Sequence, residues 1–152
     1  MKSIFITVIM LFNIAYSTVY ASPMTQKEME KIISNKVKVL SQKKGHIVFK
    51  YKKIKMLLIS DAKYNRMRIV APIIKYKLLS DDKKDAVMKS NFHMALDARY
   101  AVSDNVLYSA FIHPMSPLTA VQLEDALNQV STLARTFGTL YSSGQLSYGV
   151  KK

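Results

Sequence analysis

Cysteine and tryptophan are absent from this 152-residue chain, and glycine and proline number only four each. Without cysteine there is no disulfide, no thiolate metal ligand and no acylated lipoprotein anchor. Neither a P-loop nor a G-x-G-x-x-G turn occurs among the glycines, which removes the two commonest phosphate-cradling motifs. The three histidines, His46, His93 and His113, lie apart, and no two have the i, i+4 spacing of a zinc protease. They read as structural or surface residues, so no metal and no cofactor is expected. A triad of Ser109, Asp97 and a histidine can be drawn on paper, but no G-x-S-x-G elbow supports it. Asp81, Asp82 and Asp85 lack calcium-loop spacing and are explained as complements to a helix dipole. No catalytic constellation is present, and the chain is read as a non-enzyme.

Acidic residues are scarce as well, 10 against 23 Lys and Arg, for a formal charge of +13. The excess is local. Lys27 to Lys77 holds 15 basic residues against Glu28, Glu30 and Asp61, whereas Leu78 to Lys152 holds seven of each sign. A basic face is implied, not a uniformly basic protein. With 49% hydrophobic residues and 22% charged ones the chain has the composition of a globular domain able to bury a core.

What the N-terminus does have is the layout of a secretory signal peptide: basic Lys2, an apolar run from Ile4 to Tyr16, and Val19 and Ala21 as small residues before the cut. Cleavage after Ala21 is expected, leaving residues 22–152 as a single periplasmic or secreted domain. Left uncut, Ile4 to Ala21 is long enough to span a bilayer as an anchor.

Thr25-Gln26-Lys27-Glu28 is a capping box, and Met29, Ile32, Ile33, Val37 and Leu40 follow at helical spacing, predicting a first helix to about Gln42 that stops at Gly45. Three strands are predicted next, His46–Tyr51, Ile54–Ser60 and Arg66–Tyr76. If Lys52-Lys53 turns the first hairpin, Ile47, Phe49 and Tyr51 share a face with Ile54, Met56 and Leu58, while Val48 and Lys50 share the other with Lys55 and Leu57. Both faces are apolar away from the turn, so both are expected to be covered. Lys50, Tyr51, Lys52, Lys53 and Lys55 form a basic tip, with Arg66 and Arg68 on the next strand. Pro72 calls for an edge, a bulge or a break.

Ser80 is the expected cap of a second helix running to about Leu96, with Val87, Met88, Phe92, Ala95 and Leu96 as its apolar side. A hairpin about Ser103-Asp104-Asn105 follows. Its register puts Ala98, Tyr100, Val102, Leu107 and Phe111 toward the core and Asp97, Arg99, Ala101, Tyr108, Ala110 and Ile112 on the other side. Thr119 or Ser116 caps a third helix carrying Val121, Leu123, Leu127, Val130, Ala134 and Phe137, closed by Gly138. The fold class is therefore α+β in the order α-β-β-β-α-β-β-α, a mainly antiparallel sheet with packed helices.

This order, with the blocks Leu96-Asp97-Ala98-Arg99-Tyr100 and Leu107-Tyr108-Ser109-Ala110-Phe111-Ile112-His113-Pro114 leading through Ser116-Pro117-Leu118-Thr119 into a helix, resembles the YbjN-like family. Those bacterial proteins share the fold of type III secretion chaperones. The resemblance implies a compact α/β sandwich, often dimeric, that binds protein partners, and it supplies no catalytic residues. Secretion chaperones are cytoplasmic and usually acidic, and this chain departs from them on both counts. A protein partner is expected, contacted through Asp97, Arg99 and Tyr108, with a homodimer as the expected state. The Lys-rich half offers a second class of target, anionic lipid or glycan. Export argues against nucleic acid, although Tyr51, Tyr64 and Tyr76 stand among the basic residues as stacking groups would.

Overall fold

The computed structural model describes residues 22–145, so the Met1–Ala21 leader lies outside the described residues, as does the tail beyond Gln145. Six strands form one sheet: β1 (Lys38–Lys43), β2 (His46–Tyr51), β3 (Ile54–Asp61), β4 (Arg66–Lys75), β5 (Arg99–Ser103) and β6 (Val106–Pro114). Their order across the sheet is β1-β2-β3-β4-β6-β5, and every neighbouring pair is antiparallel. Three α-helices accompany them, α1 (Gln26–Lys36), α2 (Asp81–His93) and α3 (Ala120–Arg135), with one 3-10 turn at Tyr76–Leu78.

The predicted capping box at Thr25 and Glu28 is present in full, and its hydrogen bonds hold the Glu28 carboxyl below the usual carboxylate range. Helix α1, however, stops at Lys36, and the expected last turn is instead strand β1. Val37 is already extended, and the β-branched pair Val37 and Val39 suits a pleat better than a turn of helix. The strand also pairs the edge of β2 that would otherwise carry free amides and carbonyls. Gly45 is thus a hairpin residue, not a helix stop: its φ is +78°, and its carbonyl accepts from the Ser60 amide at 2.8 Å. Leu40 is the extra residue of a bulge in β1 and is exposed, not part of an inward stripe.

The Lys52-Lys53 turn is as expected, with φ of 47° and 70°, and so is the tight turn at Asp104 and Asn105, with φ of 48° and 58°. Pro72 sits in β4, an interior strand, and the sheet accommodates it by a register shift between Pro72 and Ile74. Thr119 rather than Ser116 caps α3, through a second capping box with Gln122. Ser80 occupies the N-cap of α2, but its hydroxyl makes no capping bond.

The core lies on one face of the sheet. Ile47, Phe49, Met56, Leu58, Met67, Ile69, Ala71, Leu107 and Phe111 are buried together with Met29 and Ile33 of α1, Val87 of α2 and Leu123, Leu127, Val130 and Leu133 of α3. Tyr100 joins them, donating its hydroxyl to the Leu133 carbonyl at 3.0 Å. Several expected core positions are exposed instead. Val102 sits next to the tip of the edge hairpin, Val121 lies in the first turn of α3, and Met88 and Phe92 point outward from α2, 67% and 81% exposed. Each is left largely uncovered by the other described residues.

Candidate functional site

The second face of the sheet is the site candidate, because none of the described helices contributes to it. Alternation along each strand puts Val48, Leu57, Val70 and Ala110 on this side, and the register lines them up as Val48↔Leu57, Leu57↔Val70 and Val70↔Ala110. An unbroken apolar row therefore crosses four strands. Ser41 closes it on β1 and Arg99 on β5. Val48, Leu57 and Val70 are half-buried by their neighbours alone. The expectation that both faces would be covered is corrected for the described residues, whose three helices all pack on the other face.

Basic residues flank the apolar row on both sides. On one side the register runs Lys43↔His46, His46↔Ile59, Ile59↔Arg68 and Arg68↔Ile112. On the other it runs Lys38↔Lys50 and Lys50↔Lys55, with Pro72↔Tyr108 and Tyr108↔Ala101 on the remaining strands. The lysines, Arg68, Arg99 and His46 are exposed, and Ile112 is 59% exposed. Asp61 is the one carboxylate in the six strands, and it is engaged at its own turn, where its Oδ1 accepts from the Lys63 amide at 2.9 Å. The two ion pairs among the described residues, Lys36 with Glu124 and Lys84 with Asp81, lie off this face.

The predicted site residues separate into three groups. Lys50, Lys55, Arg66, Arg68, Arg99 and Tyr108 meet on the open face, as cross-strand neighbours or one row apart. Tyr51 and Lys52 turn the other way: both donate to the Asn128 side-chain oxygen of α3, at 2.9 Å and 2.7 Å. Burial, and then the nearby Glu124 carboxylate, push the Tyr51 hydroxyl up from its ordinary value. Lys53 stays at the exposed turn. The basic tip is therefore a hairpin fastened to a helix by Tyr51 and Lys52, with only Lys50 and Lys55 facing the open side.

Asp97 belongs to a third place. With Arg99, Phe111, Ile112, His113, Leu118, Gln122 and Asp125 it lines a cleft of about 380 Å³ where β6 runs past the end of β5. Gln129, buried beneath, donates to the Asp97 carboxylate at 3.2 Å and the Asp125 carboxylate at 2.7 Å, and accepts from the Asp97 and Ala98 amides. Arg99 donates to the Ala98 carbonyl, and the His113 ring contacts the Pro114 carbonyl at 2.8 Å and stacks on Phe111. These contacts hold the chain in shape. Ser109, the serine of the triad imagined above, is fully buried and donates to the Val130 carbonyl. Among the described residues no group of three His, Asp or Glu could hold a metal, and no helix is long and apolar enough to cross a membrane.

Sequence reasoning missed Val48, Leu57 and Val70 as a continuous row, and Lys38 and Lys43 as members of a strand. The signal was in the alternation of β2 and β3, which carries apolar residues on both sides.

The described residues thus form an antiparallel sheet with helices on one face and a polar-margined apolar stripe on the other. The fold is that of type III secretion chaperones. One similar structure is the HopA1-SchA chaperone-effector complex, with a TM-score of 0.55, 8% identity, and 74% of this chain and 88% of that chain covered. Another is the ExsC-ExsE complex, at 0.52 and 14% identity, covering 70% and 84%. A third is the Yersinia pestis type III secretion chaperone SycH in complex with a stable fragment of YscM2, at 0.54 and 14% identity, covering 74% and 98%. No family model and no characterised protein matches the sequence.

Proposed function

We propose that this protein is an exported, non-enzymatic protein-binding module of the bacterial envelope, chaperone-like or regulatory. The observation that carries the reading is the sheet face left open by the described helices of a secretion-chaperone-like fold, with an apolar row across four strands and basic residues beside it. The fold supports binding because the similar structures include a chaperone-effector complex and a chaperone held with a fragment of another protein. The YbjN-like kinship rests on the Leu96–Tyr100 and Leu107–Pro114 blocks, and export rests on the Met1–Ala21 leader. A homodimer belongs to the same reading, with Met88 and Phe92 of α2, one turn apart and exposed, as its contact.

Affinity capture from envelope extract with the mature protein, read by mass spectrometry against a lysine-neutralised control, tests the function. A specific protein retained above background is expected, and none retained overturns it. N-terminal sequencing of the exported product should begin at Ser22, and sedimentation should give a dimer that Phe92→Lys dissociates.

The second reading, binding of anionic lipid or glycan, is favoured by one observation: the cations of the open face have no carboxylate partner among the described residues. Binding to anionic vesicles that falls steeply with salt would support it.

A further inference from the structure

From the pattern of the open face we infer the chemistry of what docks there: a segment of a partner protein that is apolar along one side and acidic along both margins. The inference rests on the protein-binding reading above and names the partner's surface.

Charge is the first argument. Lys38, Lys43, Lys50, Lys55, Arg68 and Arg99 surround the Val48-Leu57-Val70-Ala110 row, and no carboxylate shares the middle of the face. A second copy laid on this face would set lysine against lysine, which disfavours self-association there. Lysines on β1 have an ordinary explanation, because charged residues on an edge strand prevent stray strand pairing. That explanation does not reach Lys50, Lys55 and Arg68, which sit on interior strands β2, β3 and β4.

Shape is the second. Val48, Leu57 and Val70 are half-buried, each with a longer cationic side chain beside it along its strand, Lys50, Lys55 and Arg68, and Ala110 is buried at the end of the row. A flat layer of lipid headgroups meets only the cations, whereas a narrow apolar ridge with acidic flanks meets the row and the cations together. Strands lie about 4.8 Å apart, so four of them span roughly 15 Å. A helix covers that length in about ten residues, and its width of about 10 Å places its flanks over both cationic margins. An amphipathic helix with leucines at i, i+3, i+4 and i+7 and glutamates beside them matches row and margins together.

The test uses the mature protein and two synthetic helical peptides that share one leucine face, one with glutamate flanks and one with lysine flanks, followed by fluorescence anisotropy at several salt concentrations. The glutamate peptide should bind at least about tenfold more tightly than the lysine peptide, with the difference shrinking as salt rises. The variant Lys50→Glu, Lys55→Glu, Arg68→Glu, its fold checked by circular dichroism, should reverse that preference. The equally charged control Lys77→Glu, Lys83→Glu, Lys89→Glu, altered off the sheet, should keep it. Equal affinity for the two peptides overturns the inference, as does a preference that survives the sheet variant. Binding of phosphatidylglycerol vesicles through the same three residues without discrimination between the peptides also overturns it, in favour of lipid. If discrimination fails while envelope capture still retains a specific protein, the open face is not the dock and the protein-binding reading stands.

Discussion

Lys50 and Lys55 face each other directly across β2 and β3, both exposed and neither paired with a carboxylate among the described residues. Like charges opposed in this way cost a sheet roughly 0.2–1 kcal/mol. Lys55→Glu turns the pair attractive, so it should raise the urea midpoint by a small amount while weakening the glutamate-flanked peptide. Stability and binding moving in opposite directions would mark a site kept against the interest of the fold. A lowered midpoint would show that the pair is not strained.

Gln129 is the fastening of the β5 end of the molecule. One buried amide satisfies two backbone donors, at Asp97 and Ala98, and bonds two carboxylates, at Asp97 and Asp125. Gln129→Ala leaves both amides without their partner and opens a void, for an expected loss of about 2–3 kcal/mol. Gln129→Glu should be worse, since it brings a third carboxylate against two that now lack a donor. Urea denaturation of both variants checks the order, and a milder effect for glutamate would mean that the two carboxylates are held by something else.

The phenol of Tyr100 gives the protein an alkaline limit. Burial pushes its hydroxyl well above the ordinary tyrosine value. Above about pH 10 the unfolded chain releases this proton while the folded chain keeps it. The stabilisation is therefore complete below about pH 10 and is lost as pH rises toward the raised value. Tyr100→Phe removes the bond to the Leu133 carbonyl and should cost about 1 kcal/mol at neutral pH. The gap between wild type and variant should narrow as pH rises above about 10 in chemical denaturation. A gap that stays constant would place the loss in packing alone.

Turns and caps were legible in the sequence because their chemistry is local. Thr25 with Glu28, Lys52-Lys53, and Asp104-Asn105 each carry their own instruction, and each is found where expected. Strand β1 was not legible, because Ile33, Val37 and Leu40 satisfy helical spacing while Val37 and Val39 satisfy a strand. What decides between them is the free edge of β2, which no local window contains. The site was half legible for the same reason. Lys50, Lys55, Arg68 and Arg99 stood out by charge, but their meeting on one face depends on the register of five strands and on which side the helices choose.

Two glycines separate backbone strain from collision. Gly45 and Gly138 have nearly equal φ, 78° and 81°, so any side chain at either pays a similar conformational cost. Their surroundings differ. A Cβ on Gly45 would stand 2.7 Å from the Ser60 carbonyl oxygen, which also accepts from Gln26 of α1 at 3.1 Å, whereas a Cβ on Gly138 meets nothing within 4 Å. Gly138→Ala should therefore lose about 1 kcal/mol from φ alone, and Gly138→Asn less, since asparagine tolerates this region. At Gly45 both substitutions must also push the β1–β2 turn away from Ser60. The loss there should exceed 2 kcal/mol and should not be relieved by asparagine. Thermal or urea midpoints of the four variants settle the point, and equal losses at the two positions would show that the turn moves freely away from β3.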